Sequence, residues 1–166
     1  MKLRVQELSA ETFKEFGQVS VAPPTVKPEH SCDEYDWWSD VMVFDSIKEK
    51  YGVGFSRIKK TPLRQTCSER HMSTPECLLA VNGDMYIIVG PPDYPDEPAR
   101  LPDLSRFAAF KIKAGEAILM NPGVWHYACI PLKDESYMYC IFSTGTGDND
   151  CTIVDFPDGA VLELEV

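Results

Sequence analysis

The sequence has no apolar run near the roughly 18 residues that cross a bilayer; its best candidate extends only from Met85 to Gly90. The opening Met1-Lys2-Leu3-Arg4-Val5-Gln6-Glu7 alternates polar and apolar residues and lacks the continuous apolar stretch of an export signal. The expected location is therefore the cytoplasm, with no membrane partner. Bases are also few: 16 Lys and Arg against 26 Asp and Glu leave a net charge of −10. Such a body repels phosphate backbones, so nucleic acid is not an expected partner. The six cysteines include no C-x-x-C pair, and in a reducing compartment most of them read as small core residues, with free reactive thiols the minority, rather than as a disulfide framework. Histidine occurs only three times, at His30, His71 and His126.

The chain has 166 residues, enough for one domain over 1–166, and 44% of them are hydrophobic. A core of that size folds without disulfides. One short helix is expected over Ser9–Gly17, with Ser9 accepting free N–H groups, Glu11 in the first turn and Gly17 as a left-handed stop. Beyond it, short β-rich runs alternate with Gly, Pro, Asn and Asp: 18–22, 40–45, 52–58, 63–71, 76–81, 85–89, 106–112, 116–120, 125–129, 137–143, 151–155 and 160–165. This is the pattern of an all-β sandwich or barrel of antiparallel strands. Asn82-Gly83 predicts a hairpin between 76–81 and 85–89. Two segments, 23–34 and the Pro-rich 91–102, read as surface loops, lids or subunit contacts, because proline cannot donate to a strand ladder.

Charge is unevenly spread. Glu29 to Asp45 holds six acids and no Lys or Arg, whereas Arg57, Lys59, Lys60, Arg64 and Arg70 share their stretch with one acid, Glu69. In an acidic protein such a stretch can attract a small anion. Arg57, Lys59 and Arg64 are accordingly candidates to meet a substrate carboxylate, which would be costly to bury unpaired.

Glu69 and His71 stand one residue apart on an expected strand and so share a face, leaving Arg70 to point the other way, into a subunit contact or a supporting layer. Glu76 opens the next strand across the turn 72–75, and His126 follows the turn Asn121-Pro122-Gly123. Two imidazoles and two carboxylates form a mixed N/O set suited to Mn, Fe, Ni or Zn. The alternative stays open here: both glutamates pair with neighbouring bases while the histidines satisfy hydrogen bonds in the core.

The spacing Glu69-x-His71, four residues, Glu76, six residues, Gly83 resembles the first motif of the cupins, with Glu69 in place of its first His. Gly115, five residues, Asn121-Pro122-Gly123, two residues, His126 resembles the second, with its proline displaced by one and Ile130 in place of its last Asn. This resemblance implies a single-domain cupin, a jelly-roll (double-stranded β-helix) barrel with the site inside. Within it the chain resembles the ureidoglycolate lyase family, through Leu8–Val19, Glu69-Arg70-His71, Gly123-Val124-Trp125-His126 and Gly147-Asp148-Asn149-Asp150-Cys151. It departs from that family at Glu76, Tyr127 and Ser143-Thr144, where the family usually has Gln, His and Asp-Arg.

The family resemblance implies a homodimer that cleaves ureidoglycolate, a small anion, to glyoxylate and urea. It implies a divalent metal (Mn, Zn, Ni or Fe) on Glu69, His71, Glu76 and His126. Proton transfer would fall to Glu69, His71, His126 and Tyr127, while Tyr139 joins Arg57, Lys59 and Arg64 around the substrate. Other cupin chemistry on a small hydroxy or keto acid (isomerase, lyase or oxygenase), or ligand binding without turnover, are the alternatives.

Overall fold

A computed structural model describes residues 1–45 and 50–166. In chain order its elements are β1 (Lys2–Glu7), α1 (Ala10–Phe13), β2 (Gly17–Ser20), β3 (His30–Ser31), β4 (Asp36–Trp37), β5 (Tyr51–Lys59), β6 (Arg64–Gln65), β7 (Cys67–Arg70), β8 (Glu76–Ala80) and β9 (Met85–Val89). They continue with β10 (Ala108–Ile112), β11 (Ala117–Met120), β12 (Ile130–Pro131), β13 (Glu135–Ser143), α2 (Thr146–Asn149), β14 (Thr152–Asp155) and β15 (Leu162–Glu165). Two larger sheets dominate, in the orders β12-β9-β10-β1-β15-β6 and β2-β11-β8-β13-β5; β7 pairs with β14, and β3 with β4.

The apolar faces of the two sheets meet in one cluster that includes Phe13, Leu78, Met85, Ile87, Phe110, Ile112, Ile118 and Met120. Each such side chain stabilises the fold by roughly 1.5–3 kcal/mol through area removed from water. Strand β11 is buried at all four positions because it lies between β2 and β8. The result is the all-β jelly-roll barrel expected of a cupin.

Several local expectations are corrected. β8 and β9 do not form a hairpin: β8 pairs with β11 and β13, and β9 with β10 and β12. Gly83 is not among the glycines with positive φ. Instead, Asn82 at this corner accepts the Tyr137 amide on its Oδ1 at 2.8 Å, and the Lys133 ammonium on its carbonyl at 2.7 Å. The alternating start of the chain forms β1, parallel to both β10 and β15. Residues 40–45 form no strand, residues 63–71 divide into β6 and β7, and of 125–129 only Trp125 and His126 bridge to other segments.

Helix α1 has the expected Ser9 cap, closed reciprocally with Thr12 at 3.1 Å in each direction. It ends at Lys14 rather than at Gly17. Gly17 instead opens β2 at φ 151°, where a Cβ would lie 1.9 Å from Leu119 O. Close approach of two strands, not a helix stop, explains this glycine.

Candidate functional site

β7 and the segment after the 121–123 turn bring the two motifs together. Glu69 and His126 form an antiparallel bridge: the Glu69 amide donates to His126 O at 2.6 Å and the His126 amide to Glu69 O at 2.8 Å. Gly123 at φ +82° supplies the left-handed corner after Pro122, with the Val124 amide closing on Asn121 O at 3.2 Å. Its own amide donates to His71 O at 2.6 Å. The turn is thus tied to the chain beside His71.

On the inner side, Glu69, His71, Glu76 and His126 line one pocket of about 320 Å³. Ligand atoms of Glu69, His71 and His126 lie within 4.8 Å of one another. Glu76 Oε2 is 2.8 Å from His126 Nε2 and 3.5 Å from His71 Nε2, and His126 Nε2 is 4.0 Å from Glu69 Oε1. β8 does not pair with β7 to bring Glu76 here; it delivers the carboxylate from the neighbouring sheet.

The imidazoles are oriented from behind. His71 Nδ1 faces Asp150 O at 2.7 Å and His126 Nδ1 faces Val124 O at 3.0 Å. A carbonyl only accepts, so each Nδ1 carries its proton and each Nε2 turns a lone pair to the pocket in the neutral ring. Glu76 Oε2 is buried there without an aligned hydrogen bond. Three electron-rich atoms therefore converge and call for positive charge between them, either extra ring protons or a metal cation. The donor set fits a divalent metal such as Mn, Fe, Ni or Zn.

Without a metal, electrostatics takes the other route. Burial alone would raise the Glu76 carboxyl, but His126 and His71 outweigh it and hold it at about 2. Burial opposes charge on both histidines, yet the Glu76 carboxylate raises each above its usual value. The Tyr127 phenol is raised by Cys67 and by burial, so it stays protonated. Cys151 is pushed up to about 11 by burial and then by Glu69, so its thiol keeps its proton.

The remaining sequence candidates divide. Tyr127 lines the pocket. Arg57, Lys59 and Arg64 line a separate pocket of about 380 Å³, which shares Ile58, Tyr127 and Ala128 with the first. Arg57 also faces Glu135 at 3.9 Å on the surface. Tyr139 lies on the outer side of β13 against Phe55 and lines neither pocket.

Arg70 points away from the pocket, as strand parity requires, into a fully buried place. Its guanidinium donates to the carbonyls of Asp93, Tyr94, Glu97 and Pro98 and stacks 4.5 Å over Trp125. It supports the Pro-rich loop from within the subunit. Sequence reasoning missed Cys151 as a site residue: its Sγ is 3.5 Å from Glu69 Oε2. The only signal was its place at the end of the 147–151 motif.

The profile of a protein family described as ureidoglycolate lyase matches residues 1–163. The chain belongs to the ureidoglycolate lyase family. Among solved structures, the dTDP sugar isomerase of Desulfovibrio desulfuricans G20 is similar at 13% identity and a TM-score of 0.48, covering 72% of this chain and 73% of that one. The oxalate decarboxylase of Lactobacillus farciminis, solved as a formate complex, is similar at 14% identity and a TM-score of 0.45, over 74% of this chain. This chain covers 32% of that decarboxylase, about a third of its length. No protein of curated function matches in sequence. Among the described residues, no helix is long and apolar enough to cross a membrane.

Proposed function

We propose that this member of the ureidoglycolate lyase family cleaves the C–N bond of ureidoglycolate, releasing glyoxylate and urea. The observation that carries the reading is the match of the family profile over residues 1–163 together with the convergence of Glu69, His71, Glu76 and His126 in one pocket. A divalent cation on these donors would act as a Lewis acid toward the substrate hydroxyl.

The substrate is a hemiaminal, and its collapse needs only two proton transfers. Glu69 is the most exposed of the four, at 23% of its side chain, and takes the hydroxyl proton; Glu76, at 8%, is enclosed by the two imidazoles and holds charge. As the O–H and C–N bonds break and the C=O bond forms, Tyr127 gives its phenolic proton to the departing urea nitrogen. Return of the proton from Glu69 to the Tyr127 oxygen resets the site. Arg57, Lys59 and Arg64, on the pocket that adjoins through Tyr127, draw the anionic substrate to this end of the barrel.

The test is glyoxylate formation from ureidoglycolate by the purified protein, after chelation and after return of Mn²⁺, Zn²⁺ or Ni²⁺, against the spontaneous rate. Catalysed release restored by a metal supports the reading. Release no faster than the spontaneous rate with every metal overturns it. In that event the replacement of the family's usual Asp-Arg by Ser143-Thr144 favours another small hydroxy or keto acid.

A further inference from the structure

The 147–151 segment has no part in the chemistry above, yet Gly147 and Cys151 line the same pocket and the segment meets the donor side chains at two points. The Asp150 carbonyl accepts from His71 Nδ1 at 2.7 Å, and the neighbouring Cys151 thiol lies 3.5 Å from Glu69 Oε2. The Asp150 carboxylate in turn accepts the amides of Met72 at 2.9 Å and Ser73 at 2.8 Å. One dipeptide thus holds the residue before Arg70, the residue after it and the turn beyond. The chain then runs on as β14, antiparallel to β7, with Ile153 opposite Glu69 and Thr152 opposite Arg70.

From this geometry we infer that Asp150 and Cys151 are positioning residues of the metal centre, which set its affinity by aiming His71 and Glu69. The inference rests on the reading of these side chains as metal donors. The physical reasons are separate for the two donors. A carbonyl on Nδ1 keeps the ring proton there and leaves the Nε2 lone pair facing the pocket. A thiol donating to Oε2 restrains rotation of the carboxylate and leaves Oε1 on the side of the histidines. Two contacts hold the Asp150 carbonyl in place: its amide donates to Thr146 O at 2.9 Å at the end of α2, and its carboxylate grips the 72–73 amides.

Cys151 Sγ meets Glu69 at Oε2, whereas Oε1 is the oxygen that faces His126 Nε2 at 4.0 Å. Its contact is to the far oxygen of Glu69. Loss of the thiol therefore weakens the site without removing a donor, and a hydroxyl at the same position restores part of the restraint.

The test is calorimetric titration of metal-free protein with Mn²⁺ alone, on the wild type and on Cys151→Ala, Cys151→Ser and Asp150→Asn, with the melting temperature of each metal-free protein as a fold control. Cys151→Ala and Asp150→Asn are expected to bind Mn²⁺ about 10- to 100-fold more weakly, as outer partners of metal ligands do. Cys151→Ser is expected to recover part of that loss, and all three to melt near the wild type. Should Cys151→Ala fail to fold, Asp150→Asn carries the same expectation from the other side of the clamp. Unchanged Mn²⁺ affinity in the folded variants overturns the positioning role while leaving the metal centre intact. A wild type that binds no Mn²⁺ overturns the metal-centre reading and this inference with it.

Discussion

Arg70 lies 4.5 Å over the ring of Trp125, while their neighbours Glu69 and His126 exchange main-chain hydrogen bonds of 2.6 and 2.8 Å. The stack braces the pairing that sets a carboxylate beside an imidazole. The same guanidinium satisfies four carbonyls of the 93–98 stretch, so the Glu-Arg-His and Trp-His motifs are two halves of one support.

Substituting Arg70→Lys keeps the charge but replaces a planar fork by a point donor that cannot reach four carbonyls or stack in the same way. Each buried group left unpaired costs about 1–3 kcal/mol. The variant is expected to lose at least about 3 kcal/mol of stability. Urea unfolding of wild type and variant checks it; a loss below about 1 kcal/mol would show that the stack is not a support.

Tyr127→Phe removes the proposed proton donor and no metal donor. Turnover is expected to fall about 100-fold or more, the usual range for loss of a general acid, with Mn²⁺ affinity unchanged. Steady-state rates with ureidoglycolate, compared with a metal titration, separate the two effects. Turnover equal to the wild type would remove Tyr127 from the reaction.

The stability of the metal-free protein is expected to depend on pH in both directions. Glu76 is depressed from 4.5 to about 2, so its contribution is complete above 4.5 and is lost as pH falls toward 2. His71 and His126 are raised above 6.5, so their contribution is complete below 6.5 and is lost as pH rises through their folded values. Between these losses, from about 4.5 to 6.5, metal-free stability is greatest. Melting temperatures from pH 3 to 9 test this, and saturating metal is expected to remove the loss at high pH, because the cation then supplies the positive charge. A metal-free protein that grows steadily more stable from pH 6 to 9 would contradict the charge arrangement.

Gly17→Ala places a Cβ 1.9 Å from Leu119 O, a contact with backbone that no side-chain movement relieves. A destabilisation of about 3 kcal/mol or more is expected, at the severe end for a single substitution. Thermal unfolding decides it: a melting temperature within a degree or two of the wild type would mean that β2 and β11 separate at no cost.

Much of the site was legible because its information is local. The one-residue spacing of Glu69 and His71 puts both on one strand face in any register, and a Pro-Gly turn before His126 predisposes a sharp return. The hairpin expected at Asn82-Gly83 shows the limit. A turn dipeptide states a local preference, but which sheet each flanking strand joins depends on partners as distant in sequence as Ile118 and Cys140 for β8 and Phe110 for β9. Tyr139 illustrates the same limit on β13: strand alternation separates it from Met138 and Cys140, but only the packed sheets decide which set faces the barrel interior.

By itself, the sequence determined the strand-rich barrel, its candidate set of two histidines and two glutamates and its family, since alternation, turn residues and motif spacing are properties of neighbouring positions. Only the tertiary structure decided that Glu76 arrives from the other sheet, that Arg70 is buried as a brace, that the three bases line an adjoining pocket, and that Asp150 and Cys151 meet His71 and Glu69. These follow from contacts between residues far apart in the chain, formed when two twisted sheets bury their apolar faces against each other, and no local pattern encodes which of them will meet.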